Sequence, residues 1–381
     1  MYIDRVLEKD IVKSLEHFPV TVITGPRQCG KSTLARKIMS GRDDAVYLDL
    51  ERPSDLAKLA VPEMFFSSKK GSLICIDEMQ RCPDLFPLVR SLVDEWGKNG
   101  AFLFLGSAPR DLQSSETLAG RVSYYTLTPF LWREVKGAAT LEQYLSRGGF
   151  PGSLLAEDEE TSALWRENFI ATFLERDLLQ WLGSSPGFVR RLWRMLAHLN
   201  GQMVNYSSLA SSLGVSDKTV RSHIDMLASA FMLHAVPAYR SNMGKRLVKT
   251  PKIYLSDSGI ASSLLGIGTY DDLLGHPTLG AVWEQVVLAN VIGCNSRAEV
   301  FHYRTKAGAE MDFVVENGPC VYAVECKASP APKLTKGTYA AIQDIRPKWT
   351  YVAMPGEGRW PFSKGVDAIS LDLLSEDGAF A

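Results

Sequence analysis

The stretch "PVTVITGPRQCGKSTLARKIM" at residues 19–39 constrains the fold of this chain more than any other. Residues 19–24 are rich in β-branched side chains and predict a buried strand, and residues 32–39 favour a helix. Between them, residues 25–32 fit the pattern G-x-x-x-x-G-K-[ST]. Strand, glycine loop and helix follow in the order of a P-loop, whose backbone N–H groups surround phosphates at a helix N-terminus. A chance glycine loop is the alternative, but it does not explain the flanking elements.

This loop predicts a site for ATP and Mg²⁺. Lys31 is expected to reach the β and γ oxygens of the nucleotide, and Ser32 to coordinate Mg²⁺. The predicted nucleotide-binding residues are Gly25, Pro26, Arg27, Gln28, Cys29, Gly30, Lys31, Ser32 and Thr33.

The run "GSLICIDEMQRCPDL" predicts the second half of the same site. Its continuous apolar residues are typical of a parallel strand buried on both faces, and it ends in Asp77 and Glu78. Acids at the carboxyl end of such a strand lie where α/β sheets bind ligands. We expect Asp77 to hold Mg²⁺ and Glu78 to orient or deprotonate the attacking water. The alternative is an ordinary helix N-cap.

Two further strand-like runs, residues 45–51 and 101–112, extend the predicted sheet. The second carries Ser107, which can sense the γ-phosphate or hold the lytic water. Arg121 follows, as a candidate arginine finger acting in cis or across a subunit boundary, the latter requiring a homo-oligomer. A surface or DNA-facing arginine is an equal alternative. With Walker A at 25–32 and Walker B at 74–78, the array resembles the AAA+ and related P-loop ATPases.

Composition bounds the remaining choices. The chain of 381 residues is long enough for two or three domains, and its net charge of −1 creates no global field for DNA or an anionic membrane. The six cysteines show no zinc-ligand spacing, so we interpret them as reduced thiols of a cytoplasmic protein. The N-terminus has no apolar core of a signal peptide, and no apolar run approaches 18 residues, so no membrane association is expected.

The middle of the chain predicts helices and a helix-turn-helix. Residues 175–177, Glu-Arg-Asp, are best explained as the solvated face of one helix. Further on, Gly214 marks the turn between two helices over residues 205–236. The predicted outward-facing residues of the second helix are Thr219, Arg221, Ser222 and His223.

A basic stretch at residues 240–252 follows this helix-turn-helix. It contains five basic residues and no acid: Arg240, Lys245, Arg246, Lys249 and Lys252. We interpret it as the wing of a winged helix, a hairpin around residues 242–244 that tracks DNA phosphates. Winged helices also serve as lids and protein-docking modules, which is the alternative.

The C-terminal stretch "FHYRTKAGAEMDFVVENGPCVYAVECKAS" spaces its charges as D-x12-E-x-K. Glu325 and Lys327 are two apart on a predicted strand and therefore share a face. Asp312 on the neighbouring strand and Glu284 on an upstream helix add carboxylates, which together would bind Mg²⁺ or Mn²⁺. The lysine would position water or stabilise a phosphate in catalysis. A hairpin with solvated charges, or a structural ion pair, is the alternative.

This pattern resembles the PD-(D/E)xK nucleases, although Met311 stands where their proline is usual. The whole chain resembles a bacterial and archaeal ATPase family with an AAA-type domain, a winged helix and a restriction-endonuclease-like domain. The matching segments include "TGPRQCGKSTL", "ICIDEMQ", "FLGSA", "LAGR", "GGFP", "KIYLSDSGI", "WEQVV" and "AVECKAS".

The resemblance implies an α/β chain of three parts: a P-loop ATPase domain at 1–140, a helical and winged-helix segment at 141–265, and a nuclease-like domain at 266–381. Three functions follow as hypotheses. The first is an ATPase acting on DNA and coupled to a metal-dependent nuclease. The second is an ATPase switch whose nuclease-like domain only binds DNA or protein. The third is a regulatory or defence NTPase of the STAND type.

Overall fold

The computed structural model describes residues 2–107, 118–173, 185–239, 248–376 and 378–380. The chain divides into two compact units, residues 1–129 and 130–381. The three predicted domains, with boundaries at 140 and 265, stay a prediction. No helix of the described residues is long and apolar enough to cross a membrane.

The first unit is built on a five-stranded parallel sheet of order β2-β3-β4-β1-β5. Its strands are β1 Val20–Thr24, β2 Val46–Asp49, β3 Ile74–Asp77, β4 Phe102–Gly106 and β5 Val122–Thr126. Its helices are α1 Glu8–His17, α2 Lys31–Met39, α3 Pro53–Lys58, α4 Pro62–Ser68 and α5 Leu85–Trp96, with a 3-10 turn at Met79–Arg81.

Every residue of β1, β3 and β4 is buried, as expected for central strands covered on both faces. Because β3, β4 and β1 are neighbours and parallel, the residues that follow them meet at one edge of the sheet. Those residues are Glu78, directly after Asp77 at the end of β3, Ser107, and the loop that starts at Gly25. The three sequence motifs of the predicted ATP site therefore converge.

The second unit begins with helices: α6 Trp132–Val135, α7 Leu141–Arg147, α8 Pro151–Leu154, α9 Glu159–Thr172 and α10 Pro186–His198. The helix-turn-helix follows as α11 Tyr206–Leu213 and α12 Asp217–Ser229. Gly214, left-handed at φ 70°, ends α11, and the Ser216 side chain accepts the N–H of Thr219 at the start of α12. The residues Glu175, Arg176 and Asp177 lie outside the described part of the chain.

A three-stranded antiparallel sheet accompanies this helix pair, in the order β6-β8-β7. Its strands are β6 Gln202–Met203, β7 Leu233–Val236 and β8 Lys252–Leu255. Strand β8 is central, and Lys252 is paired with Met203 on one side and Val236 on the other. The backbone of Lys252 is therefore fixed from both sides.

The last part of the second unit is a six-stranded mixed sheet of order β13-β14-β12-β11-β10-β9. Its strands are β9 Glu299–Arg304, β10 Glu310–Asn317, β11 Cys320–Cys326, β12 Trp349–Met354, β13 Arg359–Ser363 and β14 Val366–Ser370. The helices are α13 Ser258–Leu265, α14 Tyr270–Leu274, α15 Leu279–Cys294, α16 Lys336–Ile345 and α17 Leu371–Leu374. This confirms a mixed α/β chain with a separate C-terminal sheet.

The segments on both sides of residues 240–247 run along the outer strand β9. Tyr239 donates its backbone N–H to His302 (2.7 Å), and Val248 donates to Arg304 (3.1 Å). The described ends of the predicted wing are thus hydrogen-bonded to the C-terminal sheet. Arg240, Lys245 and Arg246 lie outside the described residues.

Candidate functional site

The glycines of the P-loop are required by its backbone path. Gly25 has φ 149°, and a Cβ atom there would lie 2.1 Å from the carbonyl oxygen of Leu127. Gly30 has φ 103° and directly precedes α2. Side chains other than hydrogen are disfavoured at such angles. The backbone conformation therefore explains why glycine stands at both positions of the sequence pattern.

Lys31 opens α2 with its side chain over the loop. Its Nζ donates to the backbone oxygens of Gly25 (3.0 Å) and Pro26 (2.7 Å), and the residue is buried. The ammonium group is thus held at the loop by neutral carbonyl oxygens. An anionic phosphate oxygen is a stronger acceptor than either of them.

The two predicted Mg²⁺ ligands are in direct contact. Ser32 donates its hydroxyl to Asp77 Oδ2 at 2.7 Å, and Tyr47 on β2 donates its phenol to the same oxygen. The backbone N–H of Glu78 donates to Asp77 Oδ1 (2.9 Å). A carboxylate beside a hydroxyl is an oxygen donor set that suits Mg²⁺. Neither bond to Oδ2 comes from a positive charge.

Glu78, Gln80 and Ser107 form a polar cluster next to these ligands. Gln80 Nε2 donates to Glu78 Oε2 and also to Ser107 Oγ (3.2 Å), while Ser107 Oγ lies 3.4 Å from the same Glu78 oxygen. Burial raises the pKa of Glu78, and Lys31 partly offsets this. Glu78 itself adopts a left-handed backbone at φ 55° and ψ 42°, which is uncommon outside glycine and recurs at functional sites.

Arg121 lies at the opposite edge of the sheet. Its backbone oxygen accepts the N–H of Val20 at the start of β1, whereas the P-loop follows the end of β1. At about 3.3 Å per residue, five residues separate these levels by about 16 Å. Its guanidinium holds Asp94 of α5 through Nε (2.5 Å) and Nη2 (3.0 Å). Arg121 is therefore not a finger for its own P-loop, and action across a subunit boundary stays a prediction.

Three residues at this centre were not predicted: Arg5, Tyr47 and Gln80. Buried Arg5 donates to the backbone oxygens of Cys29 (2.9 Å) and Thr128 (2.7 Å) and so links the P-loop to the residues that follow β5. Tyr47 lies on the predicted strand 45–51, but only the structure shows that this strand pairs with the one that carries Asp77. Arg5 had no local signal, since its partners lie far along the chain.

The carboxylates predicted for the second unit do come together. Phe313 of β10 is paired with Val324 of β11, so Asp312 and Glu325 are one step further along the same antiparallel ladder. The pairing of β10 with β9 is irregular between Met311 and Val314, and Asp312 falls within this irregularity. Asp312 and Glu325 are both buried.

The centre contains a cation of the chain itself. Lys252 of β8 places its Nζ 3.3 Å from Asp312 Oδ1, 3.5 Å from Glu310 Oε1 and 3.6 Å from Glu284 Oε2. Only 4% of its side chain is exposed. Burial lowers the pKa of Lys252, but Asp312, Glu284 and Glu310 more than offset this, and the net shift is upward. The predicted role of Lys252 as a phosphate contact for DNA is wrong, because its side chain is buried among acids.

A second lysine holds the remaining carboxylate. Lys327 Nζ lies 2.6 Å from Glu325 Oε1, which also accepts the hydroxyl of Thr338 (3.2 Å). Burial and the neighbouring Asp312 raise the pKa of Glu325 to about 7, although Lys327 opposes this. The predicted pair of Glu325 and Lys327 on one face is thus an ion pair.

Glu284 is held by Tyr254, two residues along β8 from Lys252. The phenol of Tyr254 donates to Glu284 Oε2 at 2.8 Å. Burial, and then Asp312, raise the pKa of Glu284 to about 8. Lys252 and Tyr254 share one face of their strand, and this face meets the acids.

The donor set does not fit a metal ion in this arrangement. Among the described residues there is no group of three or more His, Cys, Asp or Glu side chains that could hold one. Asp312 Oδ2 accepts the N–H of Cys326 (2.9 Å), and its other oxygen faces Lys252. Hydrogen bonds and ammonium groups therefore take the positions that a metal would need.

Of the four side chains predicted to face outward from α12, those of Arg221 and Ser222 do so. Arg221 and Ser222 are exposed, and Arg221 stacks 3.7 Å from the ring centre of Tyr206. His223 was predicted to face outward, but it is buried, bonded to the backbone of Thr219 and packed against Phe188. It lies on the inward stripe, three residues from Val220.

The chain is similar in sequence to two mycobacterial proteins. An uncharacterized protein of Mycobacterium tuberculosis is 39% identical over 370 residues, which span 96% of this chain and 83% of that protein. An uncharacterized protein of Mycobacterium bovis matches to the same extent. The chain belongs to the family of these mycobacterial proteins. Among solved structures, the chain is similar to a Walker-type ATPase of Pyrococcus abyssi, at 15% identity and a TM-score of 0.47, over 69% of this chain and 96% of that one.

Three domain families match successive parts of the chain. The AAA domain family matches residues 17–136. Domains of unknown function match residues 138–271 (DUF8612) and residues 279–374 (DUF4143). The first match covers the P-loop, Asp77, Glu78 and Ser107, which confirms the predicted AAA-type P-loop ATPase domain.

Proposed function

We propose that the protein binds ATP with Mg²⁺ at the P-loop centre and hydrolyses it with Glu78 as the residue that activates water. The observation that carries this proposal is the contact between Ser32 and Asp77 (2.7 Å), beside the cluster of Glu78 and Ser107. Bound Mg²⁺ would be held through Ser32 and Asp77 and would neutralise charge on the phosphates.

In this proposal, one set of residues binds the phosphates and another activates the water. The loop of residues 25–30 presents backbone N–H groups, and Lys31 exchanges its carbonyl acceptors for phosphate oxygens. Glu78 accepts a proton from water, and its raised pKa brings it closer to neutral pH, where a general base is most effective. Ser107 and Gln80 fix the carboxylate by hydrogen bonds to Oε2.

The test is steady-state ATP hydrolysis together with binding of a fluorescent ATP analogue. Lys31→Ala should lose both, since it removes the charge at the phosphates. Glu78→Gln should retain binding and lower kcat by about 10²–10⁴-fold. Lys13→Ala and Glu63→Gln, on exposed helix positions, are the matched controls. Unchanged kcat in Glu78→Gln would reject Glu78 as the base, and unchanged binding in Lys31→Ala would reject the site.

For the second unit we propose a DNA-binding or protein-binding role without cleavage in the present arrangement. The exposed Lys218, Arg221 and Ser222 on α12 support a contact with nucleic acid. The ion pairs of Lys252 and Lys327 argue against a cleaving centre, because both predicted metal-binding carboxylates are already neutralised. This favours the ATPase switch over the ATP-coupled nuclease.

Two assays separate these roles. Fluorescence anisotropy with labelled duplex and branched DNA should show weaker binding for Lys218→Ala/Arg221→Ala than for wild type, with Lys13→Ala as control. Incubation of the same DNA with Mg²⁺ or Mn²⁺, with and without ATP, should give no cleavage. Cleavage that disappears in Asp312→Ala would overturn the proposal. Light scattering with ATP tests the homo-oligomer in which Arg121 would act across a boundary.

A further inference from the structure

In the acidic centre of the second unit, acidic side chains surround the ammonium group of a lysine. Three carboxylate oxygens, from Glu284, Glu310 and Asp312, face one point, and the Nζ atom of Lys252 lies at that point. A point surrounded by carboxylate oxygens is a cation position. Glu310 is partly exposed and also pairs with Arg304 (3.5 Å), but Asp312 is buried and Glu284 largely so. Removing the ammonium group would leave Asp312 and Glu284 close together without it, which is costly unless another cation replaces it.

The distances at this point fit an ammonium ion. The three oxygens lie 3.3–3.6 Å from Nζ. Mg²⁺ requires oxygen atoms at about 2.0–2.1 Å in near-octahedral geometry, and Mn²⁺ also prefers oxygen ligands. A metal ion at the same point would therefore have to draw the carboxylates inward and displace Nζ. Both cannot be present together.

The backbone keeps Lys252 in this position. Strand β8 is hydrogen-bonded on both sides, to β6 and to β7. Tyr254, on the same face of β8, donates to Glu284 (2.8 Å), so that the strand contacts the acids at two points. The preceding Thr250 accepts a hydrogen bond from buried His302 of β9 (2.9 Å). These contacts leave Lys252 little freedom to withdraw.

We propose that Lys252 is the resident cation of this centre: its ammonium group takes the position of a divalent metal ion among Glu284, Glu310 and Asp312, and the wild-type centre therefore excludes the metal. Substituting Lys252 by an uncharged residue creates a divalent cation site from the acids that remain. This inference concerns the second unit alone and does not depend on ATP hydrolysis at the P-loop.

Binding of Mn²⁺, measured by the loss of its aqueous EPR signal on nucleotide-free protein, tests the proposal. Lys252→Met should bind one Mn²⁺ more per chain than wild type. Lys252→Arg, which keeps the charge, should behave as wild type. The P-loop is intact in every variant, so its contribution cancels. Lys252→Met/Asp312→Asn should lose the gained site.

Two results would overturn the proposal. One is equal Mn²⁺ binding by Lys252→Met and wild type. The other is a Mn²⁺ ion on the wild-type protein that is lost in Asp312→Asn, because the wild-type centre would then hold a metal beside Lys252. If Lys252→Met does not fold, Lys252→Gln, whose amide can donate to a carboxylate, replaces it. The comparison of wild type with Asp312→Asn needs no Lys252 variant. It can reject by itself the claim that the wild-type centre excludes the metal.

Discussion

The two carboxylate centres of this chain use the same residue types and differ in what neutralises them. At the P-loop, Asp77 accepts hydrogen bonds from the neutral hydroxyls of Ser32 and Tyr47. In the second unit, Asp312 faces the ammonium of Lys252, and Glu325 faces that of Lys327. The described donors to Asp77 are neutral groups, whereas the carboxylates of the second centre are paired with lysines of the chain.

This difference separates a site that recruits a cation from one that is already filled. A hydroxyl can turn its oxygen toward an arriving metal and become a ligand itself, as Ser32 is expected to do. An ammonium group has no lone pair to offer and can only leave. Acidic residues at strand ends therefore do not define a metal site until their basic neighbours are known.

The largest expected difference between the two centres is in the free energy of unfolding when their lysines are replaced. Lys252→Met should lower the free energy of unfolding by roughly 3–5 kcal/mol, since it leaves buried carboxylates without their cation. Lys31→Met should cost less, roughly 1–3 kcal/mol, because the Lys31 ammonium is hydrogen-bonded to backbone carbonyls. Urea unfolding of both variants measures the difference, with exposed Lys249→Met as control. Equal costs for Lys252 and Lys31 would break the comparison.

The pH dependence of stability gives a second, smaller effect. The pKa of Glu284 is about 8 in the folded chain and near 4.3 in an unfolded one. The folded chain therefore holds a proton that the unfolded chain releases, so the free energy of unfolding falls as pH rises from about 5 to about 8. Glu284→Gln should make this fall shallower in urea unfolding at several pH values. A fall as steep as in wild type would show that Glu284 does not titrate there.

A moderate effect is expected at the P-loop from Tyr47→Phe. The change removes one of the two hydroxyl donors to Asp77 Oδ2 and leaves the ring, which stacks with Arg36 at 4.9 Å. We expect kcat for ATP to change by less than in Glu78→Gln, with an altered Mg²⁺ dependence. A Mg²⁺ titration of ATP hydrolysis checks this. A loss as large as that in Glu78→Gln would make Tyr47 part of the catalytic machinery.

The smallest effect is expected for Arg121→Ala in the isolated chain. Arg121 pairs with Asp94 at the edge of the sheet remote from the P-loop, so kcat of dilute, monomeric protein should not change. Asp94→Ala, which breaks the same ion pair, is the matched control. A fall in kcat for Arg121→Ala alone, appearing only at concentrations where the protein oligomerises, would support its action across a subunit boundary.

The P-loop centre was predictable from the sequence because its parts are local. A glycine loop between strand and helix, and acids directly after a buried strand, have spacings that are visible without the fold. Arg5 escaped prediction, since it contacts the loop through Cys29 and Thr128 only after the chain has folded.

In the second unit, the sequence predicted the acidic residues but not the lysine that neutralises them. The convergence of Glu284, Asp312 and Glu325 followed from strand alternation and an upstream helix. Lys252, whose ammonium group faces these acids, lies sixty positions before Asp312. The sequence of its stretch predicts a basic wing that contacts DNA. Burial of that lysine depends on the pairing of β8 with two strands, which no local pattern reveals. The prediction for His223 was wrong for a different reason: it lies three residues from buried Val220, on the inward side of α12, where it packs against Phe188.

The most direct test of the difference between the two centres is an anomalous diffraction experiment on wild-type crystals grown with Mn²⁺ and a non-hydrolysable ATP analogue. We predict one Mn²⁺ peak beside Ser32 and Asp77, and none among Glu284, Glu310 and Asp312, where Nζ of Lys252 should remain. A Mn²⁺ peak within that second group of carboxylates, with Lys252 displaced, would contradict the account.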